Sequence, residues 1–459
     1  MQIAPIPEHE AFSGKLTRHT GQLLRLAWPV MLSRAGILLM AFVDIAMLGR
    51  YGNGAVGVSN LGLAIFVPFM VVAIGLCSGI VPVISQAHGA GNRQECGRAW
   101  RRALSWGVFV STFAMILVWH GESWLRLFGQ TEDLAVRGGA VAMALTPGIL
   151  AQVLYAVCAF YLESIGRPLP ALAAMIGANV VNAALNWVMI FGNLGWPEQG
   201  AVGAALASSI ARFVAAGALI ALILTQRDAI AAGVRGAWDG VWGPGGWRAG
   251  VMMRKLGLSA GLSNGFETIG FAAMTMMAGT IGIAALDAYS ISHNLVSTVF
   301  MVGLGLSVAT GVRVGQMTGA GRPREAAFAG WTGFLVALVL MGVMAGLVLV
   351  FSDAISGIYT NDPTLAGRAA AVMAVAAFIF VPDTLQVVMG QANRALGDAW
   401  VPLAGYAFSF VVIMVPLGWW LTTRGGWDER GLALAIALAC CVATVLMAWR
   451  FRVLTKGAV

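Results

Sequence analysis

Long apolar runs, separated by short polar segments, follow one another along almost the whole chain. A transmembrane helix needs about 20 mainly apolar residues, and twelve runs meet this length. The first six lie near residues 22–49, 56–84, 100–120, 138–162, 169–192 and 202–225. The second six lie near residues 252–278, 285–312, 328–351, 367–391, 400–422 and 431–453. The pattern therefore predicts an all-α integral membrane protein with twelve transmembrane helices.

The longest polar stretch divides these runs into two sets of six. It extends from Gln226 to Gly250 and contains Gly243-Pro244-Gly245-Gly246, a sequence typical of a turn. We therefore expect an N-terminal six-helix lobe at 1–225, a cytoplasmic linker at 226–251 and a C-terminal six-helix lobe at 252–459. The first twenty residues carry charges but no apolar run, which indicates a cytoplasmic tail and not a signal peptide.

The two sets of helices repeat each other in sequence. A shift of about 230 residues overlays 85–91 on 315–321, with four of seven positions identical, and 195–200 on 426–431. Gly166 overlays Gly397, each at the end of the fourth span of its set. Because six is an even number, both copies cross the membrane in the same directions. Substrate sites tend to lie between parallel repeats of this kind, so we expect two six-helix repeats around a central cavity.

Composition agrees with a lipid environment, because 59% of the residues are hydrophobic and only 10% are charged. Soluble domains carry about 25% charged residues. The net charge of +8 could indicate a nucleic-acid partner, but 20 of the 28 Lys and Arg residues fall on the side of the N terminus. By the positive-inside rule both termini are cytoplasmic, and no nucleic-acid partner is expected. The five cysteines form no Cys-x-x-Cys pair, so no zinc site is implied.

Asp44 lies in the first predicted span, Glu267 in the seventh and Asp383 in the tenth, each away from the ends of its span. An acid at mid-bilayer costs roughly 2.5–3.5 kcal/mol on insertion scales, so such residues are functional candidates. Pro382 precedes Asp383, and a proline inside a helix frees a backbone carbonyl. A carboxylate beside a free carbonyl suits a small cation.

The alternative role for these acids is pairing with basic residues inside the bundle. Away from the ends of the spans, the basic residues available are Arg34, Arg212 and His293. Arg34 is ten residues from Asp44, about 15 Å along the helix, and is therefore not its direct partner in that helix. It either lines the cytoplasmic mouth or neutralises an acid of another helix. A lone histidine such as His293 is more often a satisfied core residue.

The sequence contains no set of catalytic residues around the acids. It has no His-Glu-x-x-His motif and no Gly-x-x-x-x-Gly-Lys-[Ser/Thr] phosphate loop. We therefore expect neither enzyme activity nor a cofactor, and an ion gradient as the driving force. Buried carboxylates can respond to a gradient by binding a proton or a sodium ion.

Several segments resemble the multidrug and toxic compound extrusion (MATE) transporters, in their NorM-like bacterial branch. Residues 42–49 read Phe-Val-Asp-Ile-Ala-Met-Leu-Gly, similar to the family's Phe-Val-Asp-Thr-x-Met-x-Gly. Residues 312–321 read Val-Arg-Val-Gly-Gln-Met-Thr-Gly-Ala-Gly, similar to Val-Arg-Val-Gly-Gln-x-x-Gly-x-Gly. Gly265-Phe266-Glu267 and residues 383–388 also match, so the resemblance covers both halves.

The family exports bulky organic cations in exchange for sodium ions or protons, and the resemblance implies the same activity here. It implies one coupling site, for Na⁺ or H⁺, at Glu267 and Asp383. It implies a second in the N-terminal lobe, formed by Asp44, Asn182, Asn186 and Ser208. Some relatives have aspartate where Asn186 stands, so this lobe carries one negative charge fewer.

The seventh span also predicts part of a substrate cavity. Asn264, Glu267, Phe271 and Met274 follow helical spacing and share one face. We expect the cavity to be lined by Asn264, Phe271, Met274, Gln386 and Met389.

A flippase for a lipid-linked precursor is the alternative function with a similar repeat. It would line its cavity with basic residues, whereas the spans, away from their ends, hold three acids against Arg34 and Arg212. The sequence lacks the catalytic set that an intramembrane enzyme would need, and it lacks the selectivity-filter motif of an ion channel. We therefore expect a monomeric multidrug efflux antiporter in the lipid bilayer of the bacterial inner membrane, with small organic cations as substrates.

Overall fold

The computed structural model describes residues 12–52, 54–226, 229, 231–236 and 244–457. Every regular element within these residues is helical, which confirms the predicted fold class. Among the described residues, eleven helical segments of 23 to 40 residues are long and apolar enough to cross a membrane. The remaining predicted span, the seventh, is the 31-residue helix Val251–Ile281. It is less apolar than the others because it carries serine, asparagine, threonine and glutamate side chains.

Within its described residues, the first half of the chain forms eight helices. They are α1 (Phe12–Tyr51), α2 (Ala55–Cys77), α3 (Ile80–Gly89), α4 (Arg93–Trp119), α5 (Gly121–Leu127), α6 (Glu132–Ser164), α7 (Leu169–Phe191) and α8 (Gly200–Thr225). The second half forms α9 (Pro244–Ala249), α10 (Val251–Ile281), α11 (Ile283–Gly319), α12 (Pro323–Tyr359), α13 (Pro363–Ala395), α14 (Trp400–Ala407), α15 (Val415–Thr423) and α16 (Asp428–Thr455). A π-helical stretch, Phe408–Met414, joins α14 to α15 within the eleventh span.

Helix α1 begins at Phe12, well before the predicted start at residue 22. Three basic side chains of its first turns surround the Glu325 carboxylate at the start of α12. Lys15 Nζ, Arg18 Nη2 and His19 Nε2 lie 2.6, 3.3 and 2.8 Å from its oxygens. Residues 12–20 of the predicted tail are therefore helical, because ion pairs stabilise a polar helical turn, and their cytoplasmic location stays a prediction. Residues 1–11 of that tail lie outside the described residues.

The predicted second span consists of two helices, α2 and α3, which meet at Ser78 and Gly79. A Cβ atom on Gly79 would contact the carbonyl oxygen of Met253, and one on Gly257 would contact that of Leu76. The start of α10 therefore packs backbone to backbone against this junction, which only glycine permits.

In the linker, the turn predicted at residues 243–246 is only partly within the described residues, since Gly243 lies outside them. The residues that follow form the short helix α9, beginning at Pro244. Proline favours the first position of a helix, because its missing N–H would be unpaired there in any case. The prediction of a turn was therefore wrong from Pro244 onwards.

The fourth span of each set is the centre of its bundle. Helix α6 packs against α2, α4 and α8, and helix α13 packs against α11, α12 and α16. In both sets these partners are the second, third and sixth spans. Gly166 and Gly397, which follow α6 and α13, both have positive φ values, 76° and 90°. The repeat in sequence is therefore also a repeat in packing.

The chain packs into two compact units. The N-terminal unit comprises the described residues between 32 and 261, and the C-terminal unit comprises 12–31 together with 262–457. Both boundaries fall inside helices, α1 and α10, at equivalent points of the repeat. These units are defined by packing, and the predicted lobes at 1–225 and 252–459 were defined by sequence, so the lobe limits stay a prediction.

Candidate functional site

The N-terminal unit contains a polar cluster around Asp44, on three helices. Asp44 lies on α1, Asn182 and Asn186 lie one turn apart on α7, and Ser208 lies on α8. The Asp44 carboxylate is partly buried, and the other three side chains are fully buried. The structure thus brings together all four residues that the sequence analysis grouped in this lobe.

Hydrogen bonds to the carboxylate define the geometry of this cluster. Asp44 Oδ1 accepts from Asn182 Nδ2 at 3.0 Å and from Asn186 Nδ2 at 2.6 Å. Asp44 Oδ2 accepts from Ser208 Oγ at 2.6 Å, and Ser208 Oγ accepts in turn from Asn182 Nδ2 at 3.1 Å. The buried Asn186 Oδ1 has no hydrogen-bond partner within the described chain. Hard cations bind carboxylate, amide and hydroxyl oxygens as ligands. Of these groups, only the carboxylate can also bind a proton.

The C-terminal unit contains a second acidic site, on α13. Asp383 is buried, and its Oδ1 accepts a hydrogen bond from Gln386 Nε2 at 3.0 Å, one turn along the helix. Cys440 Sγ of α16 lies 3.7 Å from the same oxygen, and Thr444 Oγ1 donates to the Pro382 carbonyl at 2.7 Å. The Pro382 carbonyl oxygen therefore already accepts a hydrogen bond from the Thr444 hydroxyl. The groups that contact the Asp383 carboxylate, Gln386 and Cys440, are neutral donors.

Glu267 of α10 faces this second site. It is partly buried, its charge interacts with those of Asp383 and Arg394, and no described residue donates a hydrogen bond to its carboxylate. Arg394, which lies beyond the predicted end of the tenth span at residue 391, is buried inside α13. Its Nη2 donates to Ser263 Oγ at 2.9 Å, and its guanidinium lies 5.7 Å from the Tyr406 ring centroid. The two predicted acids of this lobe therefore lie within electrostatic range of each other.

The residues predicted to line a substrate cavity have different surroundings. Phe271 borders a small cavity of the C-terminal unit, with Tyr289 and His293 among its other walls. Met274 and Met389 are fully buried in the packed interior of the unit, and Gln386 is bound to Asp383. Asn264 is partly buried, and its backbone carbonyl accepts from Thr268 Oγ1. Their shared role at a substrate cavity stays a prediction.

The basic residues within the spans have defined environments. Arg34 Nη2 lies 3.3 Å from Glu163 Oε1, and the Glu163 side chain is completely buried. Arg34 therefore neutralises an acid of another helix, the second of the two roles expected for it. The partly buried His293 ring stacks on Tyr289 with centroids 5.8 Å apart and lies 5.2 Å from Phe271.

Other polar residues at these sites were missed by the sequence analysis. Cys440 and Thr444 beside Asp383, and Gln152 and Tyr155 beside a cavity of the N-terminal unit, are single polar residues in apolar spans. A search for isolated polar side chains at span centres would have found them. Their partners could not have been found in this way, since they lie on other helices.

Two Gly-x-Ser-x-Gly sequences, at residues 257–261 and 261–265, also bear on enzyme chemistry. Both lie inside helix α10, and their serines, Ser259 and Ser263, are fully buried. The nucleophile elbow of hydrolases requires a sharp turn from a strand into a helix. Neither sequence forms such an elbow. Among the described residues there is also no group of three His, Cys, Asp or Glu side chains that could hold a metal ion.

Two repeats of membrane-length helices, with hydrogen-bonded acids inside each unit, define a multi-pass membrane protein. The sequence model of the MatE family matches the chain twice, at residues 29–188 and at residues 260–420. The chain belongs to this family, the multidrug and toxic compound extrusion transporters. The double match also confirms the internal repeat, because its two starting points differ by almost the shift found in the sequence.

Similar proteins cover nearly the whole chain. The "Probable multidrug resistance protein NorM" of Caulobacter vibrioides is 34% identical over 94% of this chain and 91% of its own length. The "Multidrug resistance protein NorM" of Burkholderia vietnamiensis is 30% identical over 96% of each chain. A solved structure described as the outward-facing conformation of a multidrug resistance MATE family transporter matches 98% of this chain and 99% of its own, with a TM-score of 0.86 and 18% identity. This last similarity shows the fold alone.

Proposed function

We propose that the chain is a secondary antiporter that exports lipophilic organic cations in exchange for Na⁺ or H⁺. The observation that carries this proposal is the pair of acids inside the C-terminal unit. Asp383 is buried and is held by the neutral donors Gln386 and Cys440, while Glu267 lies within electrostatic range. The family membership and the names of the NorM relatives support an efflux function.

Exchange follows from competition for these carboxylates. Two ionised acids close together in a medium of low dielectric constant repel each other, and a bound cation relieves that repulsion. A cationic substrate and a coupling ion therefore compete for one negatively charged region. Binding of Na⁺ or a proton lowers the affinity for the substrate cation, so entry of the coupling ion drives substrate release. No step requires a catalytic group or a cofactor.

Alternating access in the bacterial inner membrane completes the proposal. The distribution of basic residues predicts that both termini are cytoplasmic, so the exported cation leaves on the opposite side. Parallel repeats support this mechanism, because the two repeats can move against each other around a substrate site. The protein acts as a monomer, with lipid as its surroundings and small organic cations as substrates.

The flippase alternative loses one of the basic residues on which it depended. A lipid-linked precursor carries phosphates, which would need unpaired basic side chains inside the bundle. Arg34 is already paired with the buried Glu163. This contact removes Arg34 from the side chains that could bind a phosphate.

The test is efflux of a fluorescent organic cation such as ethidium from proteoliposomes that contain the purified protein. A sodium gradient alone and a pH gradient alone are compared, and we expect one or both to drive efflux. Glu267→Gln and Asp383→Asn should each reduce gradient-driven efflux at least about tenfold, because they remove the charge while keeping the shape of the side chain. Asp287→Asn, at an exposed acid of the same unit, is the matched control and should transport normally.

Two outcomes would overturn the proposal. One is that neither gradient drives efflux of any organic cation by the wild-type protein. The other is unchanged efflux by both folded variants, which would remove the acids from the mechanism.

A further inference from the structure

A buried positive charge lies beside the Asp44 cluster. Arg212 follows Ser208 by one helical turn on α8, so the two side chains share a face about 6 Å apart along the axis. Its guanidinium lies 5.1 Å from the Phe66 ring centroid. A Cβ atom on Gly148 of α6 would lie 3.1 Å from Arg212 Nη1, so this residue's lack of a side chain makes space for the guanidinium.

Arg212 lacks the partners that a buried arginine usually has. Its Nη1 is buried without a hydrogen-bond partner, and no ion pair within 4.0 Å involves it in the part of the chain that the structure describes. The acid whose charge attracts it is Asp44. The Asp44 carboxylate already accepts hydrogen bonds from Asn182, Asn186 and Ser208. Arg212 therefore interacts with it by charge alone and not by a hydrogen bond.

The charges of this region therefore balance without any bound ion. Asp44 supplies one negative charge, its three hydrogen-bond donors are neutral, and Arg212 supplies one positive charge. A small cavity lined by Met40, Gln152 and Arg212 adjoins the guanidinium within the same unit. Other helical residues line it as well, but none of them carries a charge.

We propose that Arg212 is a tethered cation that replaces a sodium ion at Asp44, so that the N-terminal site binds no Na⁺ at physiological concentration. This deepens the proposed antiport by assigning sodium binding, if sodium is the coupling ion, to Glu267 and Asp383 alone. A sodium ion at Asp44 would lie close to a fixed guanidinium. Two like charges on the order of 6 Å apart, at an effective dielectric constant of about 20, weaken binding about 100-fold.

The experiment measures equilibrium binding of radioactive Na⁺ to purified protein in detergent, in a background that carries Glu267→Gln and Asp383→Asn. Any Na⁺ bound in this background reports on the N-terminal unit. The parent should bind no Na⁺ up to about 100 mM. Arg212→Met should create one site of at least about 100-fold higher affinity, and adding Asp44→Asn should abolish it.

Arg212→Lys is the control that separates charge from packing. It keeps the positive charge and should behave like the parent. Arg212→Gln is a second neutral variant, for use if Arg212→Met does not fold, and fluorescence-monitored melting checks the folding of each protein. Absence of new Na⁺ binding in a folded neutral variant would overturn the proposal, as would equal binding by Arg212→Lys and Arg212→Met.

This outcome is independent of the antiport test. Binding of Na⁺ in detergent requires no transport. Absence of gradient-driven efflux by the wild-type protein would therefore refute the proposed function, but it would not affect the interpretation of Na⁺ binding by the Arg212 variants. Normal efflux together with unchanged Na⁺ binding in the neutral variants would refute only the role of Arg212.

Discussion

Glu163→Leu removes one partner of the buried ion pair in the N-terminal unit and leaves the other. Arg34 Nη2 lies 3.3 Å from Glu163 Oε1, the glutamate side chain is 0% exposed and the arginine side chain is 9% exposed. The guanidinium also lies 5.3 Å from the Phe160 ring centroid. Without the carboxylate, Arg34 would keep its charge in an apolar interior with only this aromatic contact as compensation.

The magnitude follows from two opposing quantities. At 3.3 Å and an effective dielectric constant of 20, the attraction is about 5 kcal/mol. Desolvation costs several kcal/mol for each ion, so the intact pair contributes little net stability. Removing one partner loses the attraction but retains the desolvation of the other, which costs about 3–5 kcal/mol. Arg34→Leu with Glu163→Leu removes both charges and should return to within about 1 kcal/mol of the wild type.

The assay is reversible unfolding of the four proteins of this double-mutant cycle in mixed micelles of a mild detergent and SDS. Tryptophan fluorescence gives the free energy of unfolding of each protein. We expect the double variant to be more stable than Glu163→Leu, with a coupling energy of at least about 2 kcal/mol. Glu132→Gln, in an exposed ion pair with Arg126, is the control and should unfold like the wild type. A double variant whose loss equals the sum of the two single losses would refute the reasoning.

Two further predictions concern packing and the Asp44 cluster. Gly257→Leu should prevent folding or lower the melting temperature strongly, because even its Cβ would contact a backbone carbonyl; Gly279→Ala in the same helix has open space and should melt like the wild type. Ser208→Ala removes a 2.6 Å hydrogen bond to the Asp44 carboxylate. Bonds to charged groups are worth about 1.5–3 kcal/mol, so we expect the free energy of unfolding in the same mixed micelles to fall by about that amount. Ser209→Ala, whose hydroxyl donates to the neutral Ala144 carbonyl, should lose less stability, about 0.5–1.5 kcal/mol, and the reverse order would contradict the prediction.

Much of the fold could be predicted from the sequence because a bilayer imposes simple lengths. An apolar run of about 20 residues has few alternatives to a spanning helix, and the repeated glycine loops gave the relation between the two halves. The observed helices differ from the predicted ones where contacts between residues distant in sequence determine the structure. The early start of α1 depends on Glu325, which lies 307 residues after Arg18. Hydropathy carries no information about such pairs.

The candidate site divides in the same way. The Asp44 cluster was found because its residues belong to short recognisable patterns, and the structure joins them by hydrogen bonds. The partner of Arg34 could not be found, since Glu163 is 129 residues away and nothing in its local sequence marks it. Cys440 is likewise 57 residues from Asp383. Residue types show which positions need a partner, and only the folded chain shows where that partner lies.

The two compact units do not coincide with the two halves of the chain, and this has a consequence for folding. Residues 12–31 pack with the second half, and the start of α10 up to residue 261 packs with the first. A cut in the linker would therefore yield two polypeptides. In each of them, one helical segment would be separated from its packing partners, which lie in the other polypeptide. Neither fragment could complete a unit alone, whereas co-expression should restore both. A single-repeat ancestor with this architecture would have folded only as an interlocked dimer.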